Sequence, residues 1–281
     1  MSDSGIPDLA YWSGAGGEQW AAHNDFTERL FAPVAAVLLA AIDAKPGERI
    51  VDVGCGCGTL ALVLAKRVGP TGFVLGVDVS PAMLTRARRL AASGMAMEFV
   101  EADAGTYAFP HGSFDWLVSR HGVMFFDDPP RAFANLRTAL KPGGHIAFSC
   151  FRSPRDNPWA MVPLQVACRF VPQPPKLAPD DPGPFSFADE ARVRRILAGA
   201  GFAEIALKPL DLEFDLAGDR GLDAAVAHAI EIGPASRALR GHSAETRTKV
   251  AAAMRETLGP YRRGQEVRLG AAVWLVTARN P

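Results

Sequence analysis

Net charge is the first thing this sequence lacks: Lys+Arg and Asp+Glu both number 30 among its 281 residues. That balance argues against a nucleic-acid or anionic-membrane binder working by bulk electrostatics, although a local patch is compatible with it. Long apolar runs are missing as well. The longest near the N-terminus, Pro33 to Ile42, is too short to cross a bilayer. Met1-Ser2-Asp3-Ser4-Gly5 carries no basic-then-apolar targeting signal, so a cytoplasmic protein without a membrane span is expected. Cysteine is sparse. Cys55, Cys57, Cys150 and Cys168 lack zinc-site spacing and no His-x-x-x-His pair accompanies them, so reduced thiols and no metal are expected. There is no internal repeat and no low-complexity tract beyond a cluster of prolines. The glycine-rich turn reads G-x-G-x-G and lacks the G-x-G-x-x-G of dinucleotide binders.

What is present begins with a 48% hydrophobic composition, enough for a sizeable core. The chain is organised around Ile50-Val51-Asp52-Val53-Gly54-Cys55-Gly56-Cys57-Gly58. Its β-branched start reads as a buried strand. The run from Thr59 to Val68 reads as a helix, with Gly69-Pro70 as its stop. Strand, glycine turn and helix together make a crevice in which free N–H groups and bare backbone can approach a ligand. Cys55 and Cys57 are read as small residues of that turn rather than thiolates. A second strand, Phe73 to Asp78, ends in a carboxylate placed to meet ribose hydroxyls.

Further strands are expected at Met97–Asp103, Phe114–Ser119 and His145–Phe151. Helices are expected between them from Pro81 to about Ala92, capped by Ser80, and from Asp128 to Leu140. The arginines at positions 86, 88 and 89 read as a solvated helix face. Alternating strands and helices imply βαβ units and a parallel sheet. Before them, Phe26 to Ile42 has helical periodicity, with Pro33 marking a kink or a fresh start. After them, residues 152–185 hold nine prolines and one expected short helix near 158–170, which reads as a lid. A helix from Ser186 to Ala200, a long strand from Ala203 to Leu216, a helical insertion over 219–262 and a last strand from Val267 to Ala278 complete the chain. The expected layout is a single domain: an N-terminal arm and helix over 1–46, a cofactor-binding core over 47–151, the lid, and a C-terminal part over 186–281.

Taken together, these blocks resemble the class I S-adenosylmethionine-dependent methyltransferases, and among them the small-molecule enzymes related to ubiquinone/menaquinone C-methyltransferases. The matching residues are Val51 to Gly58, Gly76 to Met83, Glu101-Ala102-Asp103, Phe114-Asp115 and Leu140 to Gly144, within roughly residues 47–151. The resemblance implies an α/β fold, a doubly wound three-layer sandwich around a mostly parallel seven-stranded sheet whose last strand is antiparallel. It implies S-adenosylmethionine as cofactor. Gly54, Gly56 and Gly58 would then lie under the methionine moiety and ribose, with Cys55 beside them. Asp78 would accept from the ribose hydroxyls next to Val79, and Met83 would pack on the adenine. Asp103 would accept from the adenine amino group and Ala104 would supply a backbone N–H. Arg120 and His121 would line the methyl-donor end, and Asp52 would hold the turn and the aminoacyl end. No Asn-Pro-Pro-Tyr/Phe follows the fourth strand, which weakens a base or glutamine amino group as target.

Methyl transfer from a sulfonium needs no proton on the leaving group, so alignment in a dry pocket is the main task. His121 and His23 are the candidates for a base, because imidazole titrates near neutral pH. His111 and His145 are assigned no role. Tyr11, Trp12, Trp20, Trp159, Phe170 and Phe185 are candidates to enclose a small, largely apolar acceptor. The N-terminal rings among them either anchor the arm or close over a ligand. A non-catalytic S-adenosylmethionine-binding protein and an NAD(P)-dependent oxidoreductase are the alternatives. Acceptor identity and oligomeric state are not readable from the residues.

Overall fold

Arg49–Val53 (β1), four of its five residues buried, is an inner strand of the sheet. The computed structural model describes residues 8–175, 178 and 181–281. The readings made of Met1 to Gly5 and of Pro179 therefore lie outside the described residues. β1 pairs in parallel with Phe73–Asp78 (β2) on one side, and β2 with Met97–Glu101 (β3). On its other side it pairs in parallel with Phe114–Arg120 (β4), which pairs with Leu140–Phe151 (β5). Ala203–Asp215 (β6), Arg262–Arg263 (β7) and Glu266–Arg279 (β8) follow. The order is β3-β2-β1-β4-β5-β8-β6, with β8 antiparallel to both neighbours and the two-residue β7 in a hairpin with its start. This is the seven-stranded, last-strand-reversed sheet that the resemblance implies. The chain winds outward one way from β1 and then the other from β4, so the crevice lies where those two strands part.

Side chains alternate across the sheet with period two. Val51, Val53, Leu75, Val77 and Leu117 enter one apolar cluster, and Ile50, Val74, Trp116 and Val118 enter the other. Both faces need helical cover, which is why the inner strands read as continuous apolar runs. The helices are α1 (Leu9–Ser13), α2 (Ala15–Ala22), α3 (Asn24–Leu30), α4 (Ala32–Ala41), α5 (Thr59–Val68), α6 (Pro81–Leu90), α7 (Pro129–Ala139), α8 (Pro158–Ala167), α9 (Glu190–Gly199), α10 (Gly221–Glu231), α11 (Pro234–Ala238) and α12 (Ala244–Leu258). Leu60 and Leu64 of α5 and Leu84 of α6 fill one cluster; Phe133 and Leu136 of α7 and Val193 and Leu197 of α9 fill the other. Among the described residues, no helix is long and apolar enough to cross a membrane.

Three sequence expectations are adjusted. The long N-terminal periodicity breaks at Phe31 into α3 and α4, with Pro33 inside the first turn of α4, where its missing N–H costs no helical bond. The strand expected from His145 begins instead at Leu140, so Lys141-Pro142-Gly143-Gly144 belongs to the start of β5, where Lys141 Nζ reaches Asp115 Oδ1 at 2.7 Å. The helix expected from Ser186 begins instead at Glu190, capped by Asp189, whose side chain accepts from the Ala191 N–H. Ser186 is unavailable as a cap because its hydroxyl donates to the Met124 carbonyl at 2.7 Å, and Phe187 beside it is fully buried in the core.

The segments on either side of the core meet above the carboxyl edge of the sheet. α11 and α12 pack on α8, and α2 packs on α6. Gln19 of α2 donates to the Glu231 carbonyl and to Ser236. The arm, the described residues of the proline-rich stretch and the helical insertion thus form a roof over the crevice.

Candidate active site

Between that roof and the strand ends lies one large cavity. Its floor is the turn after β1. Gly54 has φ of 66°, and a Cβ there would stand 2.8 Å from the Cα of Gly122, so the turn passes the backbone after β4 closely enough to exclude any side chain. The Gly56 N–H donates to Asp78 Oδ2 at 2.8 Å, and the Ser80 N–H donates to Asp78 Oδ1 at 2.9 Å. Ser80 itself caps α6 by accepting from the Met83 N–H. Asp78 is therefore both a wall of the cavity and the clamp that ties the glycine turn to the next helix. Burial raises its pKa, and the backbone N–H groups of Ser80, Gly56 and Val79 pull it back down. Asp103, two residues past β3, is fixed similarly: the Gly105 N–H donates to Oδ1 at 2.8 Å and the Thr106 hydroxyl to Oδ2 at 3.0 Å.

Asp52 sits beneath the turn. Burial pushes its carboxyl up to about 7, against the nearby Arg120 guanidinium, which lowers it. Its Oδ2 is buried without a hydrogen-bond partner among the described residues. Arg120, at the end of β4, is held by Glu28 of α3 through two bonds of 2.8 and 2.5 Å, a fork-on-fork pair that ties the N-terminal helices to the sheet edge. His121 follows with φ of 65°, its ring stacked on Phe151 at 4.2 Å between centroids. Burial, with Arg120 adding, pushes its imidazole down to about 3, only partly offset by the Ser149 backbone. Neither ring nitrogen has a hydrogen-bond partner among the described residues.

The opposite half of the cavity is a ring wall. Trp20 stacks parallel to Phe31 at 6.0 Å, Trp159 meets Phe31 edge-on at 5.8 Å, and Trp12 meets Phe125 edge-on at 5.1 Å. Phe151 and Phe185 complete it. Two acids at adjacent strand ends, a bare glycine floor, an orphaned carboxylate oxygen and an apolar wall suit a cationic nucleoside with an apolar partner beside it.

Residues 50–144 match the family described as "Methyltransferase domain". The chain is 34% identical over 193 residues to the nocamycin O-methyltransferase of Saccharothrix syringae, a match covering 65% of this chain and 69% of that one. It is 33% identical over 168 residues to the demethylmenaquinone methyltransferase of Thermus thermophilus, covering 57% and 76%. The chain belongs to the S-adenosylmethionine-dependent methyltransferases. A crystal structure of a putative methyltransferase from Bacillus halodurans shares the fold, with a TM-score of 0.57 at 17% identity over 88% of this chain and 98% of that one.

The methyltransferase cavity is lined by most of the residues singled out in the sequence: Asp52, Gly54, Cys55, Gly56, Asp78 and Val79, then Met83, Asp103, Ala104, Arg120 and His121, with Trp12, Trp20 and Trp159 on the apolar side. Four do not line it. Gly58 has φ of 80°, and a Cβ there would fall 2.7 Å from the Phe99 ring, so backbone and core packing by themselves require a glycine here. Tyr11 turns away, lying over Gly16 and under the Arg240 guanidinium. Phe170 is 41% exposed beyond the end of α8. His23 stands 3.5 Å from Glu231, away from the residues that line the cavity. Cys57 also lines the site, and burial pushes its thiol up to about 11, away from thiolate chemistry.

Sequence reasoning missed one whole face. Asn24, Thr27, Glu28 and Phe31 all line the cavity from α3 and its end. They share one helix face at i, i+3, i+4 and i+7, but the periodicity read from the sequence followed apolar residues alone, and Asn24 and Thr27 are polar residues that are buried. Arg237 of α11 was missed for a different reason: it lies in the insertion, outside every recognisable motif.

Proposed function

We propose that this enzyme methylates a small, largely apolar acceptor held beneath the roof. The observation that carries the reading is the continuity of the cavity, whose glycine-and-carboxylate half opens directly onto the half walled by Trp20, Phe31, Phe151 and Trp159. The two relatives act, by name, on nocamycin at oxygen and on demethylmenaquinone, both small molecules.

S-adenosylmethionine supplies the methyl group on a sulfonium whose departure requires no proton. The chain's own residues bind, orient and exclude water. Asp78 accepts from ribose hydroxyls through lone pairs not used by the Gly56 and Ser80 N–H groups. Asp103 and the backbone at Ala104 hold the adenine, with Met83 packed on it. Asp52, with its free oxygen, faces the positive end of the amino-acid portion. His121 is held neutral and serves as a hydrogen-bonding wall rather than as a general base, since an imidazole pushed down to about 3 takes up protons poorly. α8 with Pro184 and Phe185, and residues 219–262, act with the arm as a lid that dries the site.

The test is a screen of small aromatic and quinone-like acceptors with methyl-labelled S-adenosylmethionine, with tRNA and DNA run in parallel. Label transfer to a small molecule is the expected result. Robust labelling of nucleic acid with none of the small acceptors would overturn the reading. Binding without turnover across a broad screen would favour a non-catalytic role.

A further inference from the structure

Two arginines line the cavity, and their settings differ. Arg120 is fully engaged by Glu28. Arg237, in the roof, forms no ion pair with a carboxylate among the described residues. It stands beside Tyr11, and the neighbouring charge, Arg240, repels it. Burial lowers its pKa, yet a guanidinium remains protonated at any ordinary pH. A charge withdrawn from water without a counter-ion is costly unless a ligand supplies one. Trp12, also on the cavity wall and next in sequence to Tyr11, offers a second orphan: its indole N–H is buried with no acceptor among the described residues. An indole N–H can only donate. The acids on the cavity wall, Glu28, Asp52, Asp78 and Asp103, stand on the α3 and strand-end side, and none pairs with Arg237.

We propose that Arg237 and Trp12 form an anion-recognising subsite in the roof, and that the acceptor carries an acidic oxygen group, a carboxylate or an ionised phenol or enol. The inference rests on the small-acceptor reading and narrows it: an apolar body meets the ring wall while one anionic oxygen group meets the two donors. A neutral His121 fits the same picture, because a site without a strong base suits an acceptor that arrives ionised.

The experiment is calorimetric titration of the protein loaded with S-adenosylhomocysteine. The probes are matched pairs: naphthoic acids against naphthamides, and hydroxynaphthoquinones against their methyl ethers. S-adenosylhomocysteine is titrated first; its failure to bind would refute the cofactor reading, a result separate from the fate of the subsite. Tighter binding of the anionic member by about tenfold is expected for at least one pair, and which pair responds separates carboxylate from phenolate. Arg237→Gln should abolish the preference and Arg237→Lys should keep part of it, while S-adenosylhomocysteine affinity and melting temperature stay near wild type. The proposal is overturned if no anionic probe binds in preference to its neutral partner, or if the preference survives Arg237→Gln. It is equally overturned if Arg237→Gln weakens S-adenosylhomocysteine itself, which would make Arg237 a cofactor residue.

Discussion

Cofactor binding should release a proton from Asp52, and the effect is large enough to measure. In the free protein the carboxyl stands at about 7 against an ordinary 3.8, because burial penalises the charged form more than Arg120 relieves it. A cationic ligand brought beside its unpartnered oxygen reverses the balance and favours the carboxylate. Affinity must then fall as the medium is acidified below the free-state value, since protonated Asp52 has to ionise first. For a bound-state value well below 5, lowering pH from about 7.5 to about 5.5 should weaken S-adenosylhomocysteine by about 25-fold. The sign for the free protein is opposite to that of a salt-bridged acid. Its folded-state pKa is raised, so the contribution of Asp52 to stability is greatest at low pH and declines as pH climbs from about 4 to about 7, by about 4 kcal/mol. Calorimetry at about pH 6 in buffers of different ionisation enthalpy reads the released proton directly. Asp52→Asn should remove that proton, flatten the affinity profile and stabilise the free protein at neutral pH. A flat profile in the wild type, with no buffer-dependent heat, would refute the reasoning, as would a profile unchanged by Asp52→Asn.

Three further outcomes are expected. Asp78→Ala should lose both cofactor affinity and stability, each by about 1.5–3 kcal/mol, because the carboxylate clamps the Gly56 and Ser80 N–H groups as well as facing the cavity; denaturant melts that leave stability untouched would show the clamp to be unimportant. Gly54→Ala should destabilise by about 1–3 kcal/mol from its left-handed backbone alone, with more from the clash against Gly122, and equilibrium unfolding that matches the wild type would contradict this. The pH profile of kcat/KM should carry no limb near neutrality belonging to His121, whose imidazole stands at about 3; a limb in the wild type that disappears in His121→Phe would restore it as a base.

The core of the cofactor site was readable because its signals are local. A β-branched run followed by alternate glycines can hardly be anything but a strand entering a turn, and β1, α5 and β2 fell where the pattern put them. Strand ends deliver Asp78 and Asp103 to one edge whatever the helices do, so two carboxylates at consecutive strand ends already implied a crevice. Gly58 shows the limit of that logic. It carries the same motif signal as Gly54 and Gly56, yet it is claimed by Phe99, a residue some forty positions away in sequence.

The acceptor half is different in kind. Asn24, Thr27 and Glu28 look like an ordinary wet helix face until the roof closes over them, and the bond from Glu28 to Arg120 joins residues 92 positions apart. His121 and His23 were both candidates as imidazoles; burial against Phe151 set the first apart from the second, which stands partly exposed beside Glu231. Arg237 carries no motif at all, and its lack of an ion pair with any carboxylate of the described residues is a property of three segments meeting in space. Local backbone chemistry acts over a few residues and leaves its mark in the chain. Burial, charge pairing and pKa depend on what distant segments bring, and for this methyltransferase those segments define the acceptor end of the site.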